Sequence, residues 1–305
     1  MTKYSIKKLL QSLLAVFGAI TIVFFILRLS GDPARLMLPP EASEEQVIAM
    51  RASLGFSKPL WQQYVDFLTS VLTGDFGNSL YYKSSALELV LDRLPATLLL
   101  ALTAILLSII PGIAAGIISA YKKNTIIDYL INGVVLFGQS MPVFWVALIL
   151  IMIFAVNLHW LPTSGFDGPL SLILPASALA LYSVAPIART TRASLVKVLD
   201  ENYIMTAESQ GYLTHQILLG HALKNSLLPV ITVIGLEFGS MVGGAVVSET
   251  VFSWPGVGRL IMQAISNRDF PLVQACVLVL SIIFILINLV IDILYFYIDP
   301  RIKYE

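Results

Sequence analysis

Long apolar runs alternate with shorter polar segments along this chain of 305 residues. The first run, residues 9–27, carries no charge and is long enough to cross roughly 30 Å of hydrocarbon. Comparable runs follow at residues 95–120, 128–156, 170–187, 229–247 and 273–298. The pattern therefore predicts an all-α integral membrane protein with about six transmembrane helices.

The polar part of the N-terminal half has helical signals of its own. Ser43 and Gln46 are typical of a helix start, residues 59–72 are amphipathic, and residues 73–77 have turn composition. These signals predict a mostly helical extracytoplasmic segment over residues 31–94. We expect residues 1–30 to hold the N-terminal tail and first transmembrane helix, and residues 95–305 to form a core of five helices.

The one long polar interruption in the C-terminal half is residues 201–229, ENYIMTAESQGYLTHQILLGHALKNSLLP. Its apolar positions predict two amphipathic helical pieces hinged at Gly211, since glycine adopts positive φ where one helix ends and another begins. Pro229 suits the start of the next helix. On this pattern alone, the segment is either a docking surface or a solvated helical loop.

Composition supports the membrane assignment and excludes several other classes. The chain is 57% hydrophobic and 12% charged, with a mean hydropathy of +0.83. Its net charge is zero, so no nucleic-acid partner is indicated, and the single cysteine, Cys276, excludes a disulfide framework. Basic residues concentrate in the short loops and termini that six spans would leave in the cytoplasm, so both termini are predicted to be cytoplasmic.

Catalytic motifs are absent from the sequence. There is no G-x-x-x-x-G-K-[ST] phosphate loop, so the chain is not expected to hydrolyse ATP itself. There is no G-x-S-x-G elbow, and His159, His215 and His221 lack the spacing of metal ligands. We therefore expect a protein that is not an enzyme and binds no metal.

The fifth apolar run is rich in small residues. It has two interpretations: close packing between helices, or a helix that lines a translocation path. An ionisable residue in an apolar span favours the second interpretation, because such a group usually faces a polar cavity or partner. The candidate path residues are Glu237, Gly239, Ser240, Gly243, Gly244 and Glu249. Asp292 in the last run raises the same question, with structural pairing as its alternative.

Short motifs along nearly the whole chain resemble one transporter family. They are Gly31-Asp32-Pro33-Ala34, Leu54-Gly55 with Pro59-Leu60 and Gln63-Tyr64, Gly74-Asp75-Phe76-Gly77-Asn78-Ser79, Arg93-Leu94-Pro95-Ala96-Thr97, and Glu249 with Val251-Phe252, Trp254-Pro255-Gly256 and Gly258-Arg259. In this order they are similar to the permease subunits of binding-protein-dependent ABC importers of the dipeptide, oligopeptide and nickel group.

The resemblance implies a type I ABC importer fold and a permease for peptides or related small solutes that forms half of a translocation path. It also implies partners: a second homologous permease, two ATP-binding subunits, and an extracytoplasmic substrate-binding protein. ATP and Mg would be bound by the ATP-binding subunits, and this chain itself would need no cofactor. The expected location is the inner membrane of a prokaryotic cell, in contact with the lipid bilayer.

The resemblance also gives residues 193–228 a role as the loop that couples to the ATPase. Ala207 and Gly211 stand where the family's E-A-A-x-x-x-G motif has its second alanine and its glycine, whereas Met205 and Thr206 depart from it. The candidate coupling residues are Glu201, Tyr203, Thr206, Ala207, Gly211, His221, Leu228 and Pro229. The candidate contacts with the binding protein are Asp32, Asp75 and Trp254.

Two other classes of protein remain as alternatives. An ion-coupled secondary transporter or channel would work alone and would use Glu237 and Asp292 as ion or proton sites. Such folds commonly contain inverted repeats, which the sequence does not display. A requirement of uptake for ATP, as opposed to an ion gradient, would separate the two classes. A membrane-embedded enzyme is the third and weakest alternative.

Overall fold

The computed structural model describes residues 2–29, 34–35, 38–39, 41–53, 56–213 and 216–298. Within these ranges the regular structure is helical, apart from one isolated antiparallel bridge between Asn78 and Ser85. The helices are α1 (Thr2–Leu29), α2 (Glu44–Ser53), α3 (Leu60–Thr73), α4 (Ala86–Tyr121), α5 (Ile126–Ser140), α6 (Val143–Leu150), α7 (Leu170–Leu199), α8 (Asn202–Ser209), α9 (Leu223–Gly244), α10 (Val246–Val251), α11 (Val257–Ser266) and α12 (Phe270–Ile298). A π-helical stretch, Ile151–Asn157, extends α6, and another, Ile217–Ala222, precedes α9.

In the described part of the chain, five helices are long and apolar enough to cross a membrane: α1, α4, α7, α9 and α12. A sixth candidate consists of α5 together with α6 and its π-helical extension, which meet at a bend of 97°. The prediction of an all-α membrane protein with about six spans is confirmed. The predicted run 128–156, however, is a broken span or a re-entrant loop and is not one continuous helix.

Proline chemistry accounts for the break between α5 and α6. Pro142 has no amide hydrogen, and its ring disfavours helical backbone in the preceding residue. Met141 is accordingly extended, with ψ at 135°, and α6 begins directly after Pro142. Hydropathy identifies the run as apolar. It does not determine the direction of the chain after the proline, which depends on tertiary packing.

Three helix boundaries differ from the sequence-based prediction. α4 begins at Ala86, nine residues before the predicted start, and α7 continues past Arg192 to Leu199. α9 begins at Leu223, so Pro229 lies inside that helix and not at its start. The apolar runs are shorter than the helices that contain them. Charged residues at the helix ends extend into the membrane interface, so these ends are not part of the apolar runs.

The chain contains two compact units, the first made of residues 1–97 and 255–286. In this unit α1 packs against α3 through aromatic rings. Phe24 is fully buried, with its ring centroid 5.1 Å from that of Tyr64 and 5.5 Å from that of Phe67. The Tyr64 hydroxyl also lies 2.7 Å from Thr21 Oγ1. These contacts attach the polar segment after the first helix to that helix.

A buried carboxylate joins distant parts of the first unit. Asp269 lies between α11 and α12, is fully enclosed, and accepts hydrogen bonds from Ser79 Oγ at 2.5 Å and from the amide of Tyr81 at 3.2 Å. Its other oxygen accepts from the amide of Leu272 at 3.3 Å, in the first turn of α12. We call this set the Ser79–Asp269 network. It fixes the turn at residues 77–85 to the start of α12.

The second unit comprises residues 98–254 and 287–305. α7 is its central helix and contacts α5, α6 and α9. The approach of α4 to α7 requires glycine, because a Cβ atom at Gly112 would lie 2.7 Å from a side-chain atom of Ile187. Gly116 is in the same position against Thr191 one turn later. Small residues therefore set the closest helix packing in this unit, as is common in membranes.

Candidate functional site

The segment predicted to couple to an ATPase, residues 201–229, has an apolar side that packs on membrane helices. Ile204 and Ala207 of α8 are buried in one cluster with Ile217 and with Leu195 near the end of α7. Because Ile217 belongs to the stretch that leads into α9, the cluster ties α8 to two long helices at once. We call residues 201–229 the coupling segment.

The hinge predicted at Gly211 is present and has a left-handed backbone. Its φ is +81°, and the amides of Gln210 and Tyr212 donate to the carbonyls of Thr206 and Ala207 at 3.1 and 3.3 Å. These bonds satisfy carbonyl groups at the end of α8. A Cβ atom at Gly211 would meet nothing within 4 Å, so the backbone conformation, and not lack of space, requires glycine there.

The candidate coupling residues occupy different environments. Glu201, Tyr203, Thr206, Gly211 and Pro229 are exposed, Leu228 is half-buried, and Ala207 is buried in the cluster. The hydroxyl of Tyr203 accepts a hydrogen bond from Asn225 Nδ2 at 2.9 Å, which links α8 to α9. The side chain of His221 lies outside the described residues. The segment thus exposes polar groups together with the apolar side chains of Met205 and Leu213, over a buried apolar base.

The candidate translocation-path residues also separate into groups. Glu237 on α9 is half-buried and accepts a hydrogen bond from Ser183 Oγ of α7 at 2.5 Å. Gly239 is buried, whereas Ser240, Gly243 and Gly244 are exposed. Glu249 is fully enclosed, so in this structure its side chain is not accessible to a passing solute. A further glycine of α9, at position 235, packs against Ile291, as the close-packing interpretation requires.

The predicted contacts with a binding protein are not equally accessible. Asp75 is exposed and accepts a hydrogen bond from the amide of Gly77 at 3.0 Å. Trp254 is 1% exposed and packs edge to face on Phe166, with centroids 4.7 Å apart. Its indole is therefore not available to a partner in this conformation. Asp32 lies outside the described residues.

The sequence analysis missed a buried ion pair beside the coupling segment. Asp128 at the start of α5 accepts hydrogen bonds from Arg192 Nε and Nη2 of α7 at 2.8 and 2.6 Å. Its carboxylate also accepts from the amide of Asn124, from Asn132 Nδ2 and from Ser119 Oγ. The only sign of this ion pair in the sequence is an acidic residue inside an apolar run. Nothing in the sequence indicates which basic residue pairs with it.

Among the residues that the structure describes, no group of three or more histidine, cysteine, aspartate or glutamate side chains could hold a metal ion. The arrangement has long apolar helices, a central helix that packs against α4, α5, α6, α9 and α10, and a polar segment packed on the ends of two long helices. Together these features define a multi-pass membrane protein of the transporter class.

The chain belongs to the family described as binding-protein-dependent transport system inner membrane components, which it matches over residues 112–304. Residues 1–101 match the N-terminal domain of the same membrane components. The chain is thus the permease subunit of an ABC importer, and its resemblance to the peptide and nickel group is confirmed. Such a subunit works with an ATPase and a binding protein.

Two similar proteins align over the full length of both chains. A dipeptide transport system permease protein of Alkalihalophilus pseudofirmus is 40% identical over 333 aligned residues. A glutathione transport system permease protein of Escherichia coli K12 is 41% identical over 306. The relatives are transport subunits, as expected for a chain that is not an enzyme.

Solved structures agree on the fold. An inward-facing methionine ABC transporter chain superimposes with a TM-score of 0.59 at 17% identity, over 69% of this chain and 96% of that one. An amino acid ABC transporter, determined with histidines, gives a TM-score of 0.52 at 18% identity, over 70% and 94%. The predicted type I ABC importer fold is therefore confirmed.

Proposed function

We propose that this permease subunit imports short peptides or related small solutes and forms half of a translocation path. A second, homologous permease would complete the path, and two ATP-binding subunits would drive it. The full-length similarity to permeases named for dipeptide and for glutathione transport supports the substrate class. ATP and Mg would be held by the ATP-binding subunits, and the chain would lie in a prokaryotic inner membrane with both termini in the cytoplasm.

The observation that carries the mechanism is the coupling segment, whose outer surface is exposed and whose inner surface is buried. A force applied at its exposed residues, such as Tyr203 and Thr206, acts on Ile204 and Ala207. These two residues pack against the end of α7 and the stretch that leads into α9. Closure of an ATPase pair against the segment would thus rock both helices together and change which side of the path is open.

The path itself would be lined by the exposed small residues of α9. Ser240, Gly243 and Gly244 leave room beside the helix, since a Cβ atom at either glycine meets nothing within 4 Å. Glu237 would supply a polar group held in place by Ser183. On the extracytoplasmic side of the membrane, residues 31–94 with exposed Asp75 are our proposed contact for the substrate-binding protein.

The test is purification from the native membrane followed by reconstitution. The chain, gently solubilised, is expected to co-purify with a second permease and two ATP-binding subunits, identified by mass spectrometry. Proteoliposomes that contain this complex are expected to accumulate alanyl-alanine only when ATP and the binding protein are present. Uptake by the chain alone, driven by an ion gradient without ATP, would refute the proposal and favour an ion-coupled transporter that uses Glu237 and Asp292.

A further inference from the structure

A cleft of about 750 Å³ opens beside the coupling segment, and no function has yet been given to it. One side of α7 forms most of its wall and contributes Arg189, Thr190, Ser194 and Lys197. Asn132 of α5 adds an amide group. The volume falls within the range of pockets that bind small molecules, roughly 300–1,000 Å³. The wall is rich in hydrogen-bond donors.

The cleft has an excess of positive charge. Its third cation, Arg192, is neutralised by Asp128, which holds two of its three guanidinium nitrogens. Arg189 and Lys197 are exposed, and neither has a hydrogen-bond or ion-pair partner among the described residues. No acidic side chain belongs to the part of the lining that the structure describes. Two positive charges therefore remain available to an anion.

We propose that this cleft binds the carboxylate of the transported solute as it leaves the translocation path, an inference that rests on the proposed function. Arginine binds carboxylates through paired N–H groups, and hydroxyl and amide groups complete the coordination of a small anion. Arg192 is fixed in orientation by Asp128, and its Nη1 has no partner among the described residues. The site thus combines one preoriented donor group with two unpaired cations.

The position of the cleft would connect binding of the transported solute to movement of the coupling segment by the ATPase. Lys197 lies two residues before the end of α7, and the coupling segment follows at once. The lining also includes Pro229, which belongs to α9 and to the coupling segment itself. A carboxylate in the cleft would contact both of the helices that the ATPase is proposed to move. Movement of the coupling segment would therefore change the cleft and release the anion.

The competing explanation is that these cations contact anionic lipid headgroups, since basic residues near a membrane surface are attracted to them. A lipid phosphate and a peptide carboxylate have the same charge and hydrogen-bonding chemistry. They differ in their response to the composition of the bilayer and to the presence of peptide. A test must therefore vary the lipid and the peptide separately.

Thiol labelling of the assembled complex makes this distinction. Cys276, the only natural cysteine, is buried, so a Ser194→Cys variant introduces a thiol in the cleft that a maleimide reagent can reach. The matched control is Thr125→Cys, an exposed position directly before α5 that lies outside the cleft and outside the coupling segment. Labelling rates are measured in nanodiscs of phosphatidylcholine alone and of phosphatidylcholine with phosphatidylglycerol. The added probes are alanyl-alanine, its C-terminal amide and S-methylglutathione.

We expect alanyl-alanine and S-methylglutathione to slow labelling at position 194 and not at position 125, in both lipids. The amide should require about five times the concentration for equal protection, as should alanyl-alanine when Arg189→Gln is added to Ser194→Cys. The charge-conserving Arg189→Lys should retain most of the protection. The complex without substitutions is also reconstituted in proteoliposomes and assayed for ATP-dependent uptake of both peptides.

Four results would overturn the proposal. Equal protection by the amide, or no protection in a complex that imports either peptide, would remove the carboxylate site and leave the proposed function intact. Protection that follows phosphatidylglycerol and ignores peptide would assign the cleft to lipid. A complex that imports neither peptide would contradict the proposed substrate class, and the cleft proposal would fall with it.

Discussion

At the scale of single residues, the carboxylate of Asp128 is a group of the second unit that is costly to bury. It lies inside a candidate membrane span with 2% of its side chain exposed, and Arg192 provides its counter-ion. A buried charge is tolerated only when it is paired and hydrogen-bonded, because desolvation otherwise exceeds every other local contribution. The five donors around Asp128 meet that condition.

The Asp128→Asn variant is expected to lower the free energy of unfolding by about 3 kcal/mol, because Arg192 would remain without its counter-ion. The thermal midpoint of the purified complex in detergent measures this loss. Most of the stability should return in the double variant Asp128→Asn with Arg192→Gln. The control is Asp200→Asn, which breaks an exposed pair with Lys123 at 3.5 Å and should change stability by less than about 1 kcal/mol. Equal losses in the two single variants would contradict this account.

At the scale of elements, the coupling segment depends on a single backbone conformation. Gly211 has a φ of +81°, which β-branched residues adopt only at considerable cost. The turn must be stiff for a push on α8 to reach α7 and α9, so strain at this point should affect transport more than membrane insertion.

Gly211→Val is therefore expected to abolish ATP-dependent uptake while the protein remains in the membrane at normal levels. Uptake by proteoliposomes and immunoblotting of membranes measure the two properties. Gly220→Ala is the matched control, since a Cβ atom there meets nothing within 4 Å and its φ is not positive. Normal uptake by the Gly211→Val variant would refute the role of this turn in coupling.

Elements specified by neighbouring residues could be predicted from the sequence. The start of α2 is one example, since the amide of Gln46 donates to Ser43 Oγ and Gln46 Oε1 accepts from the amide of Ser43. The hinge at Gly211 is another. The Asp128–Arg192 pair and the Ser79–Asp269 network could not be predicted, because their partners are 64 and 190 residues apart. The bend at Pro142 was not predicted, because hydropathy indicates which residues are apolar and not the direction of the helix axis.

At the scale of the whole molecule, the first unit is assembled from two segments separated by residues 98–254. The Ser79–Asp269 network helps to hold these segments together, and its Ser79–Asp269 hydrogen bond is buried. Thr97 Oγ1 adds a second connection by accepting from the amide of Val257 at 2.8 Å. The family motif at residues 74–79 thus has a structural role in anchoring the turn to the last helix.

Asp269→Ala is expected to destabilise the first unit by at least about 2 kcal/mol, because the amide of Tyr81 and the hydroxyl of Ser79 lose a buried acceptor. Faster proteolysis of the turn at residues 77–85 and a lower thermal midpoint would measure the effect. Ser79→Ala should add little once Asp269 is replaced, since both act through one network. The control is Asp66→Asn, which removes an exposed pair with Lys58. Additive losses from Ser79 and Asp269 would show that the network is not a unit.

The discontinuity of the first unit has a consequence for biosynthesis. Residues 1–97 leave the ribosome first and must wait for residues 98–254 before segment 255–286 is available. At 5–20 residues per second, this delay is roughly 8 to 30 s. During that time Ser79 has no Asp269 to bind, and the early helices are in the bilayer without their final neighbours. The N-terminal part therefore acquires its native fold only after residues 255–286 have been translated, and a chain terminated before them would expose an unfinished unit to membrane proteases.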